Sequence, residues 1–296
     1  MARVFDCFVF ATELDLLEIR LHELAPVVDF FVLAEAEVTF KGEPKPLVFQ
    51  SNRDRFAPFA ERIRHVVIRD MPRGMGKADN WRRQRYQRDA LIAGIDDARP
   101  EDVVLLSDVD EIPRAASVGT LATTPDSFPT VHCLEQRMYR YFLNYQCSKP
   151  WSRSGPRAVR RRYLHTMQGL RYVRPPTREP MRSTLRWLYA CAYMRHVIRR
   201  TVHEDAGWHF SSMGGVNAVA TKFRSNSAAL PEHEYDPDRD FDDIAAARIA
   251  GAKFDTDLRK VPFDDSFPAY LLENRARYRH LFVDGDGTAI METNDT

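Results

Sequence analysis

Apolar runs and amphipathic stretches alternate along the first 113 residues of the chain. Residues 5–10 are apolar or aromatic except for Asp6, and they predict a strand. Residues 14–24 carry leucines at helical spacing and predict the helix that follows. The chain is therefore expected to begin with a strand and an amphipathic helix.

The same alternation continues to residue 113. Further strands are predicted at 27–34, 64–69 and 102–107, helices at 56–64 and 81–95, and loops at 41–46 and 71–80. Strands that alternate with helices are typical of a parallel sheet built from βαβ units. The unbroken apolar centre of residues 102–107 is typical of a central strand in such a sheet. The sequence therefore predicts an α/β fold.

The second half of the chain has a less regular pattern. It carries a predicted strand at 130–134, a turn at Pro175 and Pro176, and a predicted helix at 241–250. We expect a single domain over residues 1–283 and a flexible tail, rich in Gly, Asp and Thr, at 284–296.

Charge is distributed unevenly, although the formal net charge is only +1. Residues 136–202 are rich in arginine and contain one acid, Glu179, whereas residues 232–265 are acidic. The basic stretch favours a face near an anionic ligand or surface, and a solvated arginine-rich surface is the alternative. This pattern gives no reason to expect a nucleic-acid partner.

Targeting and redox signals are weak. The first residues lack the long apolar region of a signal peptide, and no window reaches the roughly 18 apolar residues of a transmembrane helix. The four cysteines are far apart, which favours neither a disulfide framework nor a zinc site. We expect a cytoplasmic protein.

The strongest chemical signal is the sequence Asp108-Val109-Asp110-Glu111 directly after the predicted strand at 102–107. Two carboxylates at the carboxyl end of a parallel strand project into the crevice where open α/β sheets bind ligands. Their hard oxygen atoms suit Mn²⁺ or Mg²⁺, cations that neutralise a diphosphate. A solvated pair of surface acids is the alternative, and the preceding apolar strand makes it less favoured.

Four separated motifs occur in one order: TELDLLEIRLHEL, VVDFFVLAEAEVTFKGEPKPLVF, LLSDVDEIPR and AGWHFSSMGG. Together they resemble glycosyltransferase family 17, which includes the β-1,4-mannosyl-glycoprotein β-1,4-N-acetylglucosaminyltransferases. The resemblance covers residues 4–278. It implies a GT-A-like, Rossmann-like nucleotide-sugar-binding sheet with helices on both faces, a nucleotide-binding half at 1–113 and an elaborated acceptor-side half at 114–283.

The resemblance also assigns metal ligands. The family's D-x-D motif falls on Asp108 and Asp110, and its Gly-Trp-His motif falls on 207–209, so His209 becomes the third candidate ligand for Mn²⁺ or Mg²⁺. A structural histidine is the alternative. Trp208 of the same motif and Asp108 are also candidates to bind the nucleotide sugar.

Further donor-binding candidates come from the neighbouring motifs and from helical spacing. Glu13 and Glu35 follow the first two strands and are expected to face the ribose or uracil. Arg85 and Arg88 lie three residues apart on the helix at 81–95, where both can reach phosphates or form a solvated face. Lys222 can offset the charge of the leaving diphosphate.

The implied reaction is an inverting transfer of a sugar, N-acetylglucosamine in the family, from a UDP-sugar to a hydroxyl of a glycan or lipid-linked saccharide. Such a transfer needs a general base. The sequence does not identify it: Glu111 lies beside the D-x-D motif, and Asp205 precedes the Gly-Trp-His motif. Asp205 is the preferred candidate.

Residues 184–200 predict a helix with an apolar stripe and basic residues elsewhere. The stripe is expected to pack into the core, and peripheral contact with the inner face of a membrane is the alternative. Two further functions stay open: a sugar nucleotidyltransferase, whose Gly-rich basic loop is not matched by ATELDLLEIR, and a non-catalytic carbohydrate-binding protein, against which the intact Asp pair argues.

Overall fold

The structure is a computed structural model that describes residues 2–74, 76–176, 199–225, 240–252 and 257–283. Its strands, in chain order, are β1 (Val4–Val9), β2 (Phe30–Ala36), β3 (Ile63–Ile68), β4 (Val103–Asp108), β5 (Glu111–Pro113), β6 (Thr130–Leu134), β7 (Arg137–Arg140), β8 (Tyr145–Cys147), β9 (Arg157–Arg160), β10 (Arg199–His203), β11 (Gly207–Ser211) and β12 (Leu258–Lys260).

The α-helices of the described residues are α1 (Leu14–Leu24), α2 (Val48–Ser51), α3 (Lys77–Ala90), α4 (Ala115–Thr123), α5 (Met167–Tyr172), α6 (Gly215–Ser225), α7 (Phe241–Ala252) and α8 (Ala269–Glu273). Short 3₁₀ helices lie at Arg53–Arg62, Leu91–Ile95, Arg161–Tyr163 and Arg279–Leu281.

Two mixed sheets organise these elements. The larger has the strand order β10-β6-β9-β4-β1-β2-β3, and its β3-β2-β1-β4 portion is parallel. The smaller has the order β12-β8-β7-β11-β5. The chain passes from β1 to β2 on one side and later returns to place β4 on the other side. The strand order therefore reverses between β1 and β4, where α/β sheets bind ligands.

Apolar side chains cover both faces of the larger sheet, as buried parallel strands require. On one face, α1, α2 and α4 pack against β1, β2 and β4 through residues that include Leu17, Leu21, Phe49 and Val118. On the other, α5 and the 3₁₀ helix Leu91–Ile95 pack against the same strands. A third cluster joins α1 to β5, β7, β11 and α8. Helices on both faces are thus confirmed.

The predicted α/β class is confirmed, with corrections at the ends of elements. The second strand begins at Phe30 rather than at residue 27, and α3 begins at Lys77, inside the loop predicted at 71–80. The predicted helix at 56–64 is a 3₁₀ segment, Arg53–Arg62, which contains Pro58. Proline has no N–H to donate and disfavours a regular α-helix at that point.

Some predictions concern residues that the structure leaves undescribed. The tail at 284–296 lies outside the described residues, as do residues 184–198 of the predicted amphipathic helix. The last two residues of that prediction, Arg199 and Arg200, lie in β10 instead of a helix. Across the described parts of the chain, no helix combines the length and apolar character that crossing a membrane requires.

Candidate active site

A cleft of about 550 Å³ opens at the carboxyl end of β1, beside the turn that follows β4. Val9 and Asp108 pair across these two strands, so the cleft lies at the point where the strand order reverses. The residues that line it are Ala11, Thr12, Glu13, Leu14, Asp15, Leu16, Arg55, Asp110, Phe210, Ser212, Met213, Gly214, Asn217, Ala218, Thr221, Lys222, Ser225, His280 and Leu281.

Asp110 is the acid of the D-x-D motif that lines this cleft. Its Oδ2 accepts a hydrogen bond from Lys222 Nζ at 3.1 Å and lies 3.6 Å from His209 Nε2. Burial raises the pKa of the Asp110 carboxyl, but Lys222 and His209 outweigh burial and hold that pKa well below its usual range. These two neighbours therefore favour the ionised form of Asp110.

Asp108 is held by arginines. Arg88 from α3 donates to both oxygens, at 3.1 and 3.3 Å, and Arg171 from α5 donates to Oδ2 at 3.0 Å. Burial opposes ionisation of Asp108, and the two arginines outweigh it, so the pKa of Asp108 is lowered. Both carboxylate oxygens of Asp108 are thus occupied by protein donors.

Glu111 is a buried anchor, with 1% of its surface exposed. Arg171 donates to its two oxygens at 2.7 Å each, and Trp151 Nε1 donates to Oε1 at 2.6 Å. Its Oε2 also accepts the backbone N–H of Asp108 at 3.0 Å. With its oxygens engaged and no place in the cleft lining, Glu111 is arranged to hold the turn rather than to take a proton from an acceptor.

The Gly-Trp-His motif forms the first three residues of β11, and each of the three has a different structural role. A Cβ on Gly207, whose φ is +143°, would lie 2.2 Å from the Ile112 carbonyl oxygen, so β11 can approach β5 only with glycine there. Trp208 is 1% exposed and donates to the Ser266 carbonyl, which places it in the core and outside the cleft. His209 carries the motif's contact with Asp110.

The two glutamates predicted to face the ribose or uracil, Glu13 and Glu35, lie in different environments. Glu13 lines the cleft, and its carboxylate accepts the N–H groups of Ala11 and Thr12 at 3.2 and 2.8 Å. Glu35 is fully buried and accepts the N–H of Phe49 at 2.9 Å, beside His65 Nε2 at 3.1 Å. The structure therefore brings Glu13 but not Glu35 to the cleft.

The other predicted site residues also differ in whether they lie near the cleft. Arg88 reaches Asp108, whereas Arg85 is exposed on α3. Asp205 has a side chain that is 48% exposed, and it pairs with Arg114 and Arg137 instead of lining the cleft. Asp205 precedes β11 at the end away from Asp110, because β11 runs antiparallel to β5 and Gly207 pairs with Pro113. Neither candidate base, Asp205 or Glu111, lies in the cleft lining.

Two arginines that the sequence did not single out hold the acidic turn. Arg171 joins α5 to Asp108 and Glu111, and no pattern distinguishes it from its neighbours within the arginine-rich stretch. Arg20 is fully buried, and its guanidinium donates to backbone oxygens of the turn. A signal existed for Arg20: it lies on the apolar stripe of α1, and Asp6 interrupts the apolar strand before it.

The donor atoms around Asp110 decide whether a divalent cation can bind there. No group of three or more His, Cys, Asp or Glu side chains is placed to hold a metal in the part of the chain that the structure describes. Asp110 Oδ2 and His209 Nε2 nonetheless lie 3.6 Å apart. Mg²⁺ is commonly bound through one or two carboxylates and completes its shell with phosphate oxygens and water, and neutral imidazole is a common metal ligand. Asp110 and His209 therefore fit a cation such as Mn²⁺ or Mg²⁺, with Lys222 as its competitor.

Comparisons with known proteins complete this picture. The chain is 28% identical, over 94% of its length and 54% of the relative's, to "Beta-1,4-mannosyl-glycoprotein 4-beta-N-acetylglucosaminyltransferase" of Rattus norvegicus. The protein of that name in Homo sapiens is 28% identical over 94% of this chain and 55% of its own length. The chain thus spans about half the length of these relatives.

Among solved structures, a crystal structure of 4-diphosphocytidyl-2C-methyl-D-erythritol synthase aligns with a TM-score of 0.37 and 13% identity, over 69% of this chain and 90% of that one. A likeness of that degree says nothing about function. The sequence model described as "Glycosyltransferase family 17" matches residues 1–173, which include β1, β4, the whole acidic turn and Arg171. The chain belongs to glycosyltransferase family 17.

Proposed function

We propose that this protein transfers a sugar, N-acetylglucosamine or a close relative, from a UDP-sugar to a hydroxyl of a glycan or lipid-linked saccharide with inversion at the anomeric carbon. The new bond joins the acceptor oxygen to the anomeric carbon, and the bond from that carbon to the diphosphate breaks. UDP leaves with the electron pair, and the proton of the acceptor hydroxyl passes to a general base or to water. The observation that carries the proposal is the ionised Asp110 in the cleft, with Lys222 Nζ 3.1 Å away.

The position of the cleft supports a nucleotide donor. Ligands of open α/β sheets bind outside the carboxyl ends of the strands where the strand order reverses, and the cleft lies there. Its volume of about 550 Å³ is within the range of ligand sites. Glu13 and Asn217 offer polar groups in its lining. Family membership supports the same class of donor.

Asp110 and His209 would hold Mn²⁺ or Mg²⁺. A bound cation of this kind supplies charge neutralisation on the diphosphate as UDP leaves. Asp110 suits the role because it stays ionised and has one oxygen, Oδ1, directed to no hydrogen-bond donor among the described residues. His209 Nδ1 is buried without a hydrogen-bond partner among the described residues, so the ring orientation is set by packing against Trp151.

The chain's own cations contribute to leaving-group stabilisation. Asp110 raises the pKa of the Lys222 ammonium against the effect of burial, so Lys222 stays protonated near the cleft. A fixed positive charge that faces developing negative charge lowers the barrier without solvent reorganisation. Arg88 and Arg171 keep Asp108 in one orientation, which keeps the turn and therefore Asp110 in place.

A donor screen tests the proposal. UDP release would be measured for a panel of UDP-sugars, each with saccharide acceptors and Mn²⁺, for the parent and for Asp110→Ala. We expect one donor class to be active in the parent and the activity to be lost in the variant. A variant as active as the parent would overturn the site, and a parent that releases UDP from none of the donors would overturn the function.

Calorimetry separates donor binding from turnover. UDP binding to the parent is expected to require Mn²⁺ or Mg²⁺ and to weaken sharply in Asp110→Ala. The matched control is Asp97→Asn, because Asp97 pairs with Arg3 and Arg64 at the opposite end of the sheet. That variant should bind UDP like the parent. Metal-independent binding would contradict the role of Asp110 and His209 as cation ligands.

A further inference from the structure

Arg20 makes a dense set of contacts under the acidic turn. It lies on α1 and is completely buried. Its Nε and Nη2 donate to the two oxygens of Asp6 at 2.8 and 2.6 Å, and Nη2 also donates to Ser107 Oγ at 2.5 Å. Its Nη1 donates to backbone oxygens of the turn, at 2.8 Å for Glu111 and 3.2 Å for Asp108. All five guanidinium N–H groups therefore have acceptors.

Most of the backbone carbonyl groups in the turn, residues 108–111, lie close to a donor of Arg20. Arg20 also lies 3.5 Å from the Val109 carbonyl, and the remaining carbonyl, that of Asp110, accepts the N–H of Phe210 at 2.8 Å. Buried carbonyl groups without a donor are costly, so a turn this deep needs partners. The Arg20 side chain alone contacts the carbonyl groups of three of the four turn residues, Asp108, Val109 and Glu111.

Asp6 is the counter-ion that allows the charged guanidinium of Arg20 to be buried. It lies in the centre of β1, pairs with Leu105 of β4, and is completely buried. Its carboxylate pairs with the guanidinium, which in turn donates to the backbone of the turn that carries Asp108, Asp110 and Glu111. A buried ion pair seldom adds net stability over apolar residues of similar size, because both charges must leave water. What the pair adds here is a rigid fork on the backbone of the turn.

We propose that Arg20, with Asp6 as its counter-ion, is a positioning residue that holds the backbone of residues 108–111 and so sets the orientation of Asp110 toward the donor diphosphate. This inference rests on the proposed function for its catalytic consequence. It also makes a structural claim that stands without it: the backbone of residues 108–111 keeps its conformation because a guanidinium fork holds it. A point charge such as lysine cannot reach Asp6 and the turn together.

The test uses Arg20→Lys, which keeps the charge and loses the fork. The backbone amides of 108–111 are followed by hydrogen exchange, and kcat and KM are measured with the donor that the screen identifies. We expect exchange in this turn to be at least about tenfold faster while β2 and β3 are unchanged. We also expect kcat to fall about 100-fold with KM within about threefold, because a shift near 1 Å costs that much.

A second variant covers the case in which Arg20→Lys does not fold. Asp6→Asn with Arg20→Met removes both charges and leaves no unpaired buried ion, so it should fold and show the same fast exchange at 108–111. The matched control is Arg3→Lys, since Nε and Nη2 of Arg3 both donate to Asp102 Oδ2 at the other end of β1 and β4. Arg3→Lys should keep the parent's kcat and the parent's exchange at 108–111.

The outcomes separate the two proposals. Unchanged exchange at 108–111 in both Arg20 variants would overturn the positioning role, whatever the enzyme does. Fast exchange with an unchanged kcat would also overturn it as a role in catalysis. If the parent shows no donor activity at all, the proposed function fails, and the exchange measurement still decides whether Arg20 holds the turn.

Discussion

The larger sheet has a cavity at each end, and the two differ in what their cations do. The cleft at the carboxyl end contains Lys222, whose ammonium contacts Asp110. A rear cavity of about 390 Å³ lies at the amino end, lined by Ala2, Glu101, Ala122, Thr123, Pro125, Asp126, Arg160, Arg162 and Tyr163. There, Arg160 donates to the carbonyl groups of Glu101, Leu121 and Thr124.

The difference shows why similar side chains do not make similar sites. Arg160 uses its Nη atoms to hold backbone, and its Nε faces Asp126 at 3.6 Å, so little of its charge is directed at the cavity. Lys222 and Asp110 face a cleft at the ligand-binding edge of the sheet, with Asp110 ionised and Lys222 protonated. We therefore expect changes at the cleft to affect activity and changes at the rear cavity to affect stability.

The largest effect is expected from Asp110→Asn. The amide cannot bind a cation or balance Lys222, so UDP release should fall on the order of 100-fold or more. The same exchange at the rear cavity, Asp126→Asn, should leave UDP release per folded enzyme within about twofold, since the partners of the Asp126 carboxylate among the described residues are His132 and Arg160. Steady-state assays on both variants check this. Equal losses in the two variants would end the distinction between the cavities.

Lys222→Met should have the next largest effect. Methionine keeps most of the length of the side chain and removes the charge, so leaving-group stabilisation is lost while the shape of α6 is kept. We expect kcat to fall about 10- to 100-fold at saturating donor. Stopped or continuous assays of UDP release measure it. An unchanged kcat would mean that the pairing with Asp110 is structural.

The first half of the fold was predictable because its elements are long enough to show a period. The strands β1, β2 and β4 are six or seven residues of buried apolar sequence, and α1 shows a clear stripe. The smaller sheet was not predicted, because strands such as β5 and β8 have three residues each. Three residues cannot show an alternation, and tertiary pairing alone defines these strands.

The site was predictable where chemistry follows directly from position in the chain. Asp110 follows a buried strand and lies in the cleft as predicted, whereas Asp108, predicted by the same argument, is held by Arg88 and Arg171 instead. Glu35 also ends a strand, but its side chain turns toward Phe49 on a face covered by helices. The partnership of Arg171 with Glu111 depends on elements 60 residues apart, and no local pattern predicts such a pair.

Arg160→Gln tests whether the rear cavity contributes to stability and not to activity. Glutamine cannot supply the donors that now reach Leu121 and Thr124, so the free energy of unfolding should fall by about 1–3 kcal/mol. Chemical denaturation measures that change. Activity per folded molecule should match the parent, because the partners of Arg160 in the described part of the chain, Glu101, Leu121, Thr124 and Asp126, lie outside the cleft lining. A loss of kcat without a loss of stability would assign the rear cavity a functional role.

The smallest effect is expected from the histidine pair beside the rear cavity. His132 Nδ1 lies 2.9 Å from His203 Nε2, and His132 Nε2 lies 3.0 Å from Asp126 Oδ1. Burial lowers the pKa of both histidines, and the charge of His203 lowers the pKa of His132 further, whereas Asp126 raises the pKa of both. The unfolded chain therefore binds protons more readily than the folded protein does near pH 6.

The sign of the pH dependence follows. A histidine whose pKa is lowered by folding contributes its full stability above the unfolded value near 6.5, and that contribution is lost as the pH falls toward the folded value. The free energy of unfolding should fall between about pH 7.5 and 5.5, and in His203→Gln this fall should be smaller by less than about 1 kcal/mol. Denaturation series at both pH values measure the two slopes. His165→Gln, at an exposed histidine outside the pair, should keep the parent's slope, and an identical slope in His203→Gln would show that the pair does not titrate with folding.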